Sequence, residues 1–205
     1  MRDVVIIGGM GAGKSTLCKA LGLAVPQSHY LYAGKYIAQL PFALHRKNPD
    51  LFLLPRATFI DTVLANQDMP IPPARREDLN TAAERAFAAY GELVEADLVL
   101  RARKTGVPNV IDSLACVVNV ERAKQEGLYL VGLECSFETQ VQRCLARRKD
   151  IDPTDKAGID HFVRWYNDIL HVDQTLPLAH KRYTTDNHSI TLSEMVEEIA
   201  HVMRE

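Results

Sequence analysis

The chain has 205 residues, 47% of them hydrophobic and 24% charged, with a formal net charge of −2. That length suffices for one domain with a sizeable core, and the near-neutral balance gives no compositional argument for a nucleic-acid or anionic-membrane surface. No apolar run reaches the roughly 18 residues of a membrane span, and Asp3 with a Gly-rich loop interrupts any leader-like N-terminus, so a cytoplasmic location is expected.

Val4, Val5, Ile6 and Ile7 run without polar interruption, as a central parallel strand does, and predict a strand over Asp3–Gly8. Lys14–Leu23 then reads as a helix with Leu17, Ala20 and Leu21 on one face. A short strand over His29–Ala33 and a helix over Lys35–His45 follow. Between Asn48 and Ala74 the apolar spacing allows helix, but Pro49, Pro55, Pro70, Pro72 and Pro73 punctuate it. PIPPARRED reads as a rigid connection into a new helix. That helical pattern runs from about Glu77 to Lys104 with a break at Gly91.

A third strand spans 107–112 and ends on Asp112. Val117–Gln125 is helical and Leu128–Cys135 a fourth strand. Phe137–Lys149 is a helix that turns basic at its end, 151–158 a polar loop, and Ile159–Leu170 a helix. Lys181–Thr185 is a fifth strand and Thr191–Met203 a last helix, capped by Ser189 or Thr191. Alternating strands and helices predict a parallel sheet covered on both faces.

Gly8-Gly9-Met10-Gly11-Ala12-Gly13-Lys14-Ser15 fits GxxxxGK[ST] between a strand and a helix. Successive backbone N–H groups turn inward around phosphate oxygens there, in conformations that side chains obstruct. The helix that begins beneath favours negative charge at its N-terminus. Lys14 supplies a point charge for the β- and γ-phosphates, Ser15 a hydroxyl for Mg²⁺, and Thr16 a contact to a phosphate nearer the sugar.

The matching carboxylate is expected in Asp112, because ligands of parallel α/β sheets bind outside the carboxyl ends of the strands. Asp61 is a weaker rival in a helical context. Asp186 also follows a strand, but Asn187 after it suggests a loop contacting a base. The four cysteines, Cys18, Cys116, Cys135 and Cys144, form no CxxC and read as free thiols. The seven histidines show no metal-ligand spacing.

With these residues in place the chain resembles the nucleoside monophosphate kinase-like branch of P-loop proteins: adenylate kinase-like enzymes, deoxynucleoside monophosphate kinases and archaeal relatives of dephospho-CoA kinase. GGMGAGKST opens the likeness. NVIDSLACVVNVERAKQEG resembles the acidic third strand and its helix. LYLVGLECSFETQVQRCLARRKDID resembles the fourth strand, the next helix and the start of a lid. AGIDHFVRWYNDI resembles the helix after the lid, and KRYTTDNHSITLSEMVEEI the last strand, base-side loop and terminal helix.

The resemblance implies a three-layer P-loop NTPase fold with a five-stranded parallel sheet, in one domain spanning 1–205. A helical acceptor-side insertion would occupy about 35–105 and a short lid about 147–158. It implies ATP and Mg²⁺ and a small nucleotide as partner; no membrane partner is expected, and a nucleic acid is not favoured but stays open. Arg143, Arg147 and Arg148 match its RxxxRR pattern, whose arginines lie against adenine or grip the transferring phosphoryl. Arg164 matches an arginine reaching inward from the next helix. Guanidinium forks suit a phosphoryl group with charge on three oxygens. Arg164 also lies four residues after Asp160, a spacing that suits an ion pair, and Arg147-Arg148-Lys149 also suits a solvated helix end.

The family's DGxR-like element reads Asp112-Ser113-Leu114-Ala115 here, without the arginine that helps hold the acceptor phosphate. Lys35, Arg75, Arg76 and Arg85 are the substitute cations. Tyr30, Tyr32 and Tyr36 suit stacking on an acceptor base and equally suit a half-buried core. The expected activity is phosphoryl transfer to a (deoxy)nucleoside monophosphate. A kinase for dephospho-CoA, a nucleoside or a polynucleotide end, and a nucleotide-dependent regulatory ATPase, remain alternatives.

Overall fold

The computed structural model describes residues 1–102, 104–147, 156–186 and 190–205, with the backbone alone for Arg76, Glu77, Asn80, Arg147 and Lys156. The chain divides into two compact units, Met1–Leu31 with Ala102–Glu205, and Tyr32–Arg101.

In the first unit the unbroken apolar run becomes β1 (Val4–Gly8), buried at every position. The other strands are β2 (His29–Tyr32), β3 (Asn109–Asp112), β4 (Tyr129–Glu134) and β5 (Lys181–Thr184), in the order β2-β3-β1-β4-β5. β1 pairs in parallel with β3, Ile6 opposite Asp112, and with β4, Gly8 opposite Leu133. Parallel neighbours require crossover connections, and helices supply them.

The helices are α1 (Lys14–Ala24), α6 (Val117–Gln125), α7 (Phe137–Arg147), α8 (Lys156–Ile169), α9 (Val172–Thr175) and α10 (Leu192–Arg204). α1 and α10 share one core, in which Leu17, Cys18 and Leu21 meet Ile199 and Met203 over Val4 and Ile6. Side chains of a strand alternate between faces, so Val5 and Ile7 turn to the other side, where α9 packs against β1 and α6 against β4. The result is a three-layer α/β fold around a five-stranded parallel sheet.

Thr191 caps α10: its Oγ1 accepts from Glu194 N–H at 3.2 Å, and Glu194 Oε2 accepts from Thr191 N–H at 2.7 Å. Ser189, the rival cap, lies outside the described residues. One boundary is corrected: residues 156–158, read as loop, belong to the first turn of α8. The chain between α8 and β5 forms α9 and a 3-10 turn over Leu176–Leu178, restarting at His171 with φ 45°.

The second unit is helical. A π-helical turn (Lys35–Gln39) leads into α2 (Leu40–His45); a 3-10 turn (Leu51–Leu53) and α3 (Arg56–Ala65) follow. α4 (Arg76–Ala86) continues through a second π-helical turn (Phe87–Gly91) into α5 (Glu92–Ala102). The break expected at Gly91 is thus a widened turn in a continuous helical path. A Cβ on Gly91 would lie 2.6 Å from the Phe87 ring, so the missing side chain is the room that ring occupies. The core gathers Leu40, Leu51, Phe59, Val63, Tyr90 and Leu98, with the Phe59 and Tyr90 rings stacked at 4.1 Å. Beyond the unit's end, Thr105 Oγ1 donates to the Ala102 carbonyl at 2.9 Å, and Gly106 turns the chain at φ 70°. The helix therefore stops short of Lys104, where the periodicity had suggested its end.

Candidate active site

The loop after β1 turns on glycines. Gly8 has φ 146°, and a Cβ there would sit 2.4 Å from the Leu133 carbonyl oxygen of β4. Gly13 caps α1 in the left-handed region, φ 100°, which favours glycine. α1 begins at Lys14, so its first N–H groups, which lack intrahelical partners, face the loop with the positive end of the helix dipole. Lys14 Nζ donates to the carbonyls of Gly8 (2.8 Å) and Gly9 (2.9 Å). Burial pushes its ammonium below the ordinary lysine range, and the charge of Asp112 opposes that shift.

Ser15 and Asp112 stand 97 residues apart in sequence and meet: Ser15 Oγ donates to Asp112 Oδ2 at 2.8 Å. The register of β1 on β3 carries Asp112 to the end of the sheet from which the loop springs. Asp112 is 1% exposed, and Tyr30 OH donates to the same Oδ2 at 2.8 Å. A hydroxyl and a carboxylate are hard oxygen donors of the kind Mg²⁺ takes, and Mg²⁺ needs only one or two protein ligands beside phosphate and water. These residues fit that ion. Among the described residues no group of three or more His, Cys, Asp or Glu is placed to cage a metal.

The other side of the loop is held by α7, α8 and the end of β5. Arg143 Nη1 donates to the Gly11 carbonyl (3.1 Å) and to Thr185 Oγ1 (2.9 Å), and Nη2 donates to the Thr185 carbonyl. Met10 N–H donates to Asn167 Oδ1 at 2.9 Å, Asn167 Nδ2 to Gln140 Oε1 at 2.7 Å, and Gln140 Nε2 to the Cys135 carbonyl at 3.1 Å. Asp186 accepts from Ser136 N–H at 2.7 Å, joining the chain after β5 to the start of α7. Hydrogen bonds from Thr139 and then Ser136 hold its carboxyl below the usual aspartate range.

The loop residues Gly8 to Thr16, Asp112 and Arg143 are therefore gathered at one end of the sheet. Arg164 is exposed and lies over the Phe137 ring, 4.1 Å from its centroid, and no ion pair among the described residues joins it to Asp160. Arg147 closes α7, its side chain outside the described set, as are Arg148 and Asn187 altogether. Lys35, Arg75, Arg76 and Arg85 belong to the second unit. Lys35 Nζ donates to the Gln67 carbonyl at 2.6 Å; Arg75 stands at the N-cap position of α4 without a side-chain cap bond, Arg76 begins the helix, and Arg85 is exposed in its last turn. Asp61 is exposed on α3, and Tyr36 is buried in the second unit's core.

Tyr30, Gln140, Asn167 and Thr185 are site residues whose contacts the sequence reading missed. A signal existed for two of them. Gln140 precedes Arg143 by three residues and Asn167 follows Arg164 by three, spacings that share a helix face. None of the four cysteines is in a disulfide, and Cys18 and Cys144 are buried. Among the described residues no helix is long and apolar enough to cross a membrane.

No family model and no curated protein sequence matches the chain. Solved structures do. A shikimate kinase from Bacteroides thetaiotaomicron is similar over 100% of this chain and 99% of its own, with 13% identity and a TM-score of 0.57. A shikimate kinase from Acinetobacter baumannii, solved in complex with shikimate, covers 100% of this chain with 93% of its own, at 18% identity and a TM-score of 0.53. A protein from Thermus thermophilus is similar over 98% of this chain and 97% of its own, at 14% identity and a TM-score of 0.55. The resemblance read from the sequence thus holds at the level of the fold, which this chain shares with shikimate kinases, and not specifically at that of the nucleoside monophosphate kinases.

Proposed function

We propose that the protein is an ATP- and Mg²⁺-dependent phosphotransferase whose acceptor is a small phosphorylated molecule, a (deoxy)nucleoside monophosphate. The observation that carries this reading is the convergence of Lys14, Ser15 and Asp112 at the end of the sheet, with the Ser15 hydroxyl 2.8 Å from the carboxylate. Ser15 and Asp112 would hold Mg²⁺, which when bound offsets charge on the phosphate oxygens. Lys14 brings a positive charge to the loop, its ammonium exchanging the Gly8 and Gly9 carbonyls for phosphate oxygens. The N-terminus of α1 favours the same anion.

Arg143 braces the loop against the end of β5, on the side where the base would lie. Arg147, Arg148 and Arg164 would neutralise the migrating phosphoryl, and the lid expected at about 147–158, of which 148–155 lie outside the described residues, would exclude water as a competing acceptor. Lys35, Arg75, Arg76 and Arg85 would bind the acceptor's phosphate.

A second reading concerns the acceptor alone. One structure of this fold is a shikimate kinase in complex with shikimate, and the arginine expected after Asp112 is missing. Both favour an acceptor that is a small hydroxy acid, whose carboxylate the same cations would suit. The test is transfer of labelled γ-phosphate from Mg·ATP to a panel: ribo- and deoxyribonucleoside monophosphates, nucleosides, dephospho-CoA, a 5′-hydroxyl oligonucleotide and shikimate. Preferential labelling of a monophosphate supports the first reading, and labelling of shikimate alone the second. Hydrolysis without any labelled acceptor would overturn both in favour of a regulatory ATPase.

A further inference from the structure

Tyr30 lies on β2, beside β3 in the sheet. It is 43% exposed, and yet its hydroxyl ends 2.8 Å from Oδ2 of the buried Asp112. That one oxygen takes two hydroxyl donors, Ser15 from α1 and Tyr30 from β2. The terminal torsion of an aspartate is broad and roughly two-fold, so its own rotamer preference does not settle which way the carboxylate plane faces. Two donors on separate elements do settle it. A phenol is suited to this task because it donates a hydrogen bond from a rigid ring with few torsions to fix.

We propose that Tyr30 is a positioning residue for Asp112: its hydroxyl holds the carboxylate toward Ser15 and thereby sets the affinity of the Ser15–Asp112 pair for a divalent cation beside bound nucleotide. This rests on the phosphotransferase reading above. The role proposed for Tyr30 runs through the carboxylate, to which its hydroxyl donates. Outer partners that orient metal ligands typically matter about 10- to 100-fold in metal affinity.

The experiment uses the whole chain, ADP, and Mn²⁺ as a paramagnetic stand-in for Mg²⁺, with free Mn²⁺ read by electron paramagnetic resonance. Wild type, Tyr30→Phe, Tyr30→Leu and Asp112→Asn are compared, and ADP affinity is measured separately without metal. The expected result is a loss of about tenfold in Mn²⁺ affinity for both Tyr30 variants, with metal-free ADP affinity unchanged and Asp112→Asn weaker still. If Tyr30→Phe binds Mn²⁺ as wild type does while Tyr30→Leu is weak, the ring and not the hydroxyl matters, and the proposal is overturned. If Tyr30→Phe loses metal-free ADP affinity by the same factor, the tyrosine supports the site generally and the proposal is again overturned. If wild type itself shows no Mn²⁺ binding beside ADP, the phosphotransferase reading fails first, an outcome separable from the other two.

Discussion

The side-chain oxygen of Asn167 accepts a hydrogen bond from the backbone N–H of Met10 at 2.9 Å, across 157 residues of sequence. This one bond joins α8, the helix that follows the proposed lid, to the glycine loop. The same asparagine donates to Gln140 on α7, so two helices hold one peptide of the loop in place.

Asn167→Ala should therefore loosen the loop. It leaves the part-buried Met10 N–H and the side-chain Oε1 of Gln140 without this partner, at a cost on the order of 1–3 kcal/mol. Two measurements check this: a lower denaturant midpoint with unchanged slope, and weaker nucleotide binding. An unchanged midpoint and affinity would show that the Met10–Asn167 bond carries no structural weight.

Lys14→Ala should nearly abolish phosphoryl transfer and leave the fold intact. Lys14 Nζ bonds to the loop's own Gly8 and Gly9 carbonyls, so little packing is lost. In the reacting complex its charge would meet the phosphates, and single contacts of that kind are worth on the order of 3 kcal/mol. Turnover and a thermal melt test both halves, and near-wild-type turnover would remove the loop from the chemistry.

Asp186 makes the stability of the α7–β5 junction pH-dependent. Its carboxyl is held below the usual aspartate range by hydrogen bonds from Thr139 and Ser136. A carboxylate with a depressed folded value contributes stability that is complete above the unfolded value, about 3.9, and lost as pH falls through the folded value below it. The difference in melting temperature between wild type and Asp186→Ala should thus be constant near neutral pH and shrink toward zero in acid. A difference that persists below the folded value would mean that Asp186 acts through shape and not charge.

Thr191→Ala should cost about 1 kcal/mol through loss of the α10 cap. The helix buries Met195, Ile199 and Met203 against α1 and the sheet, so fraying at its start is felt in the main core. Thr191→Ser, which keeps the hydroxyl, should recover most of the loss in a denaturant titration. If the serine and alanine variants melt alike, the cap is not what the threonine contributes.

The sequence alone determined what depends on short-range order. The run Val4–Ile7 had to be buried on both faces, the spacing of Gly8, Gly13, Lys14 and Ser15 marked a glycine-built turn from strand into helix, and the alternation of strands and helices specified a parallel sheet. Each is a local constraint: a period, a backbone conformation or a dipole at a helix start. That Asp112 lies at the ligand end of the sheet was legible too, because it ends an apolar parallel strand; that β3 neighbours β1, which seats it beside Ser15, was not.

What tertiary structure decided are the contacts between residues far apart in the chain. Strand order and register bring Tyr30 to Asp112, and the packing of α7 and α8 brings Gln140 and Asn167 to Met10. The phenol carries no periodic or charge signal in one dimension, and the two amides carry only a helical spacing from Arg143 and Arg164. Their roles arise only when a buried donor or acceptor elsewhere in the fold needs the partner they supply.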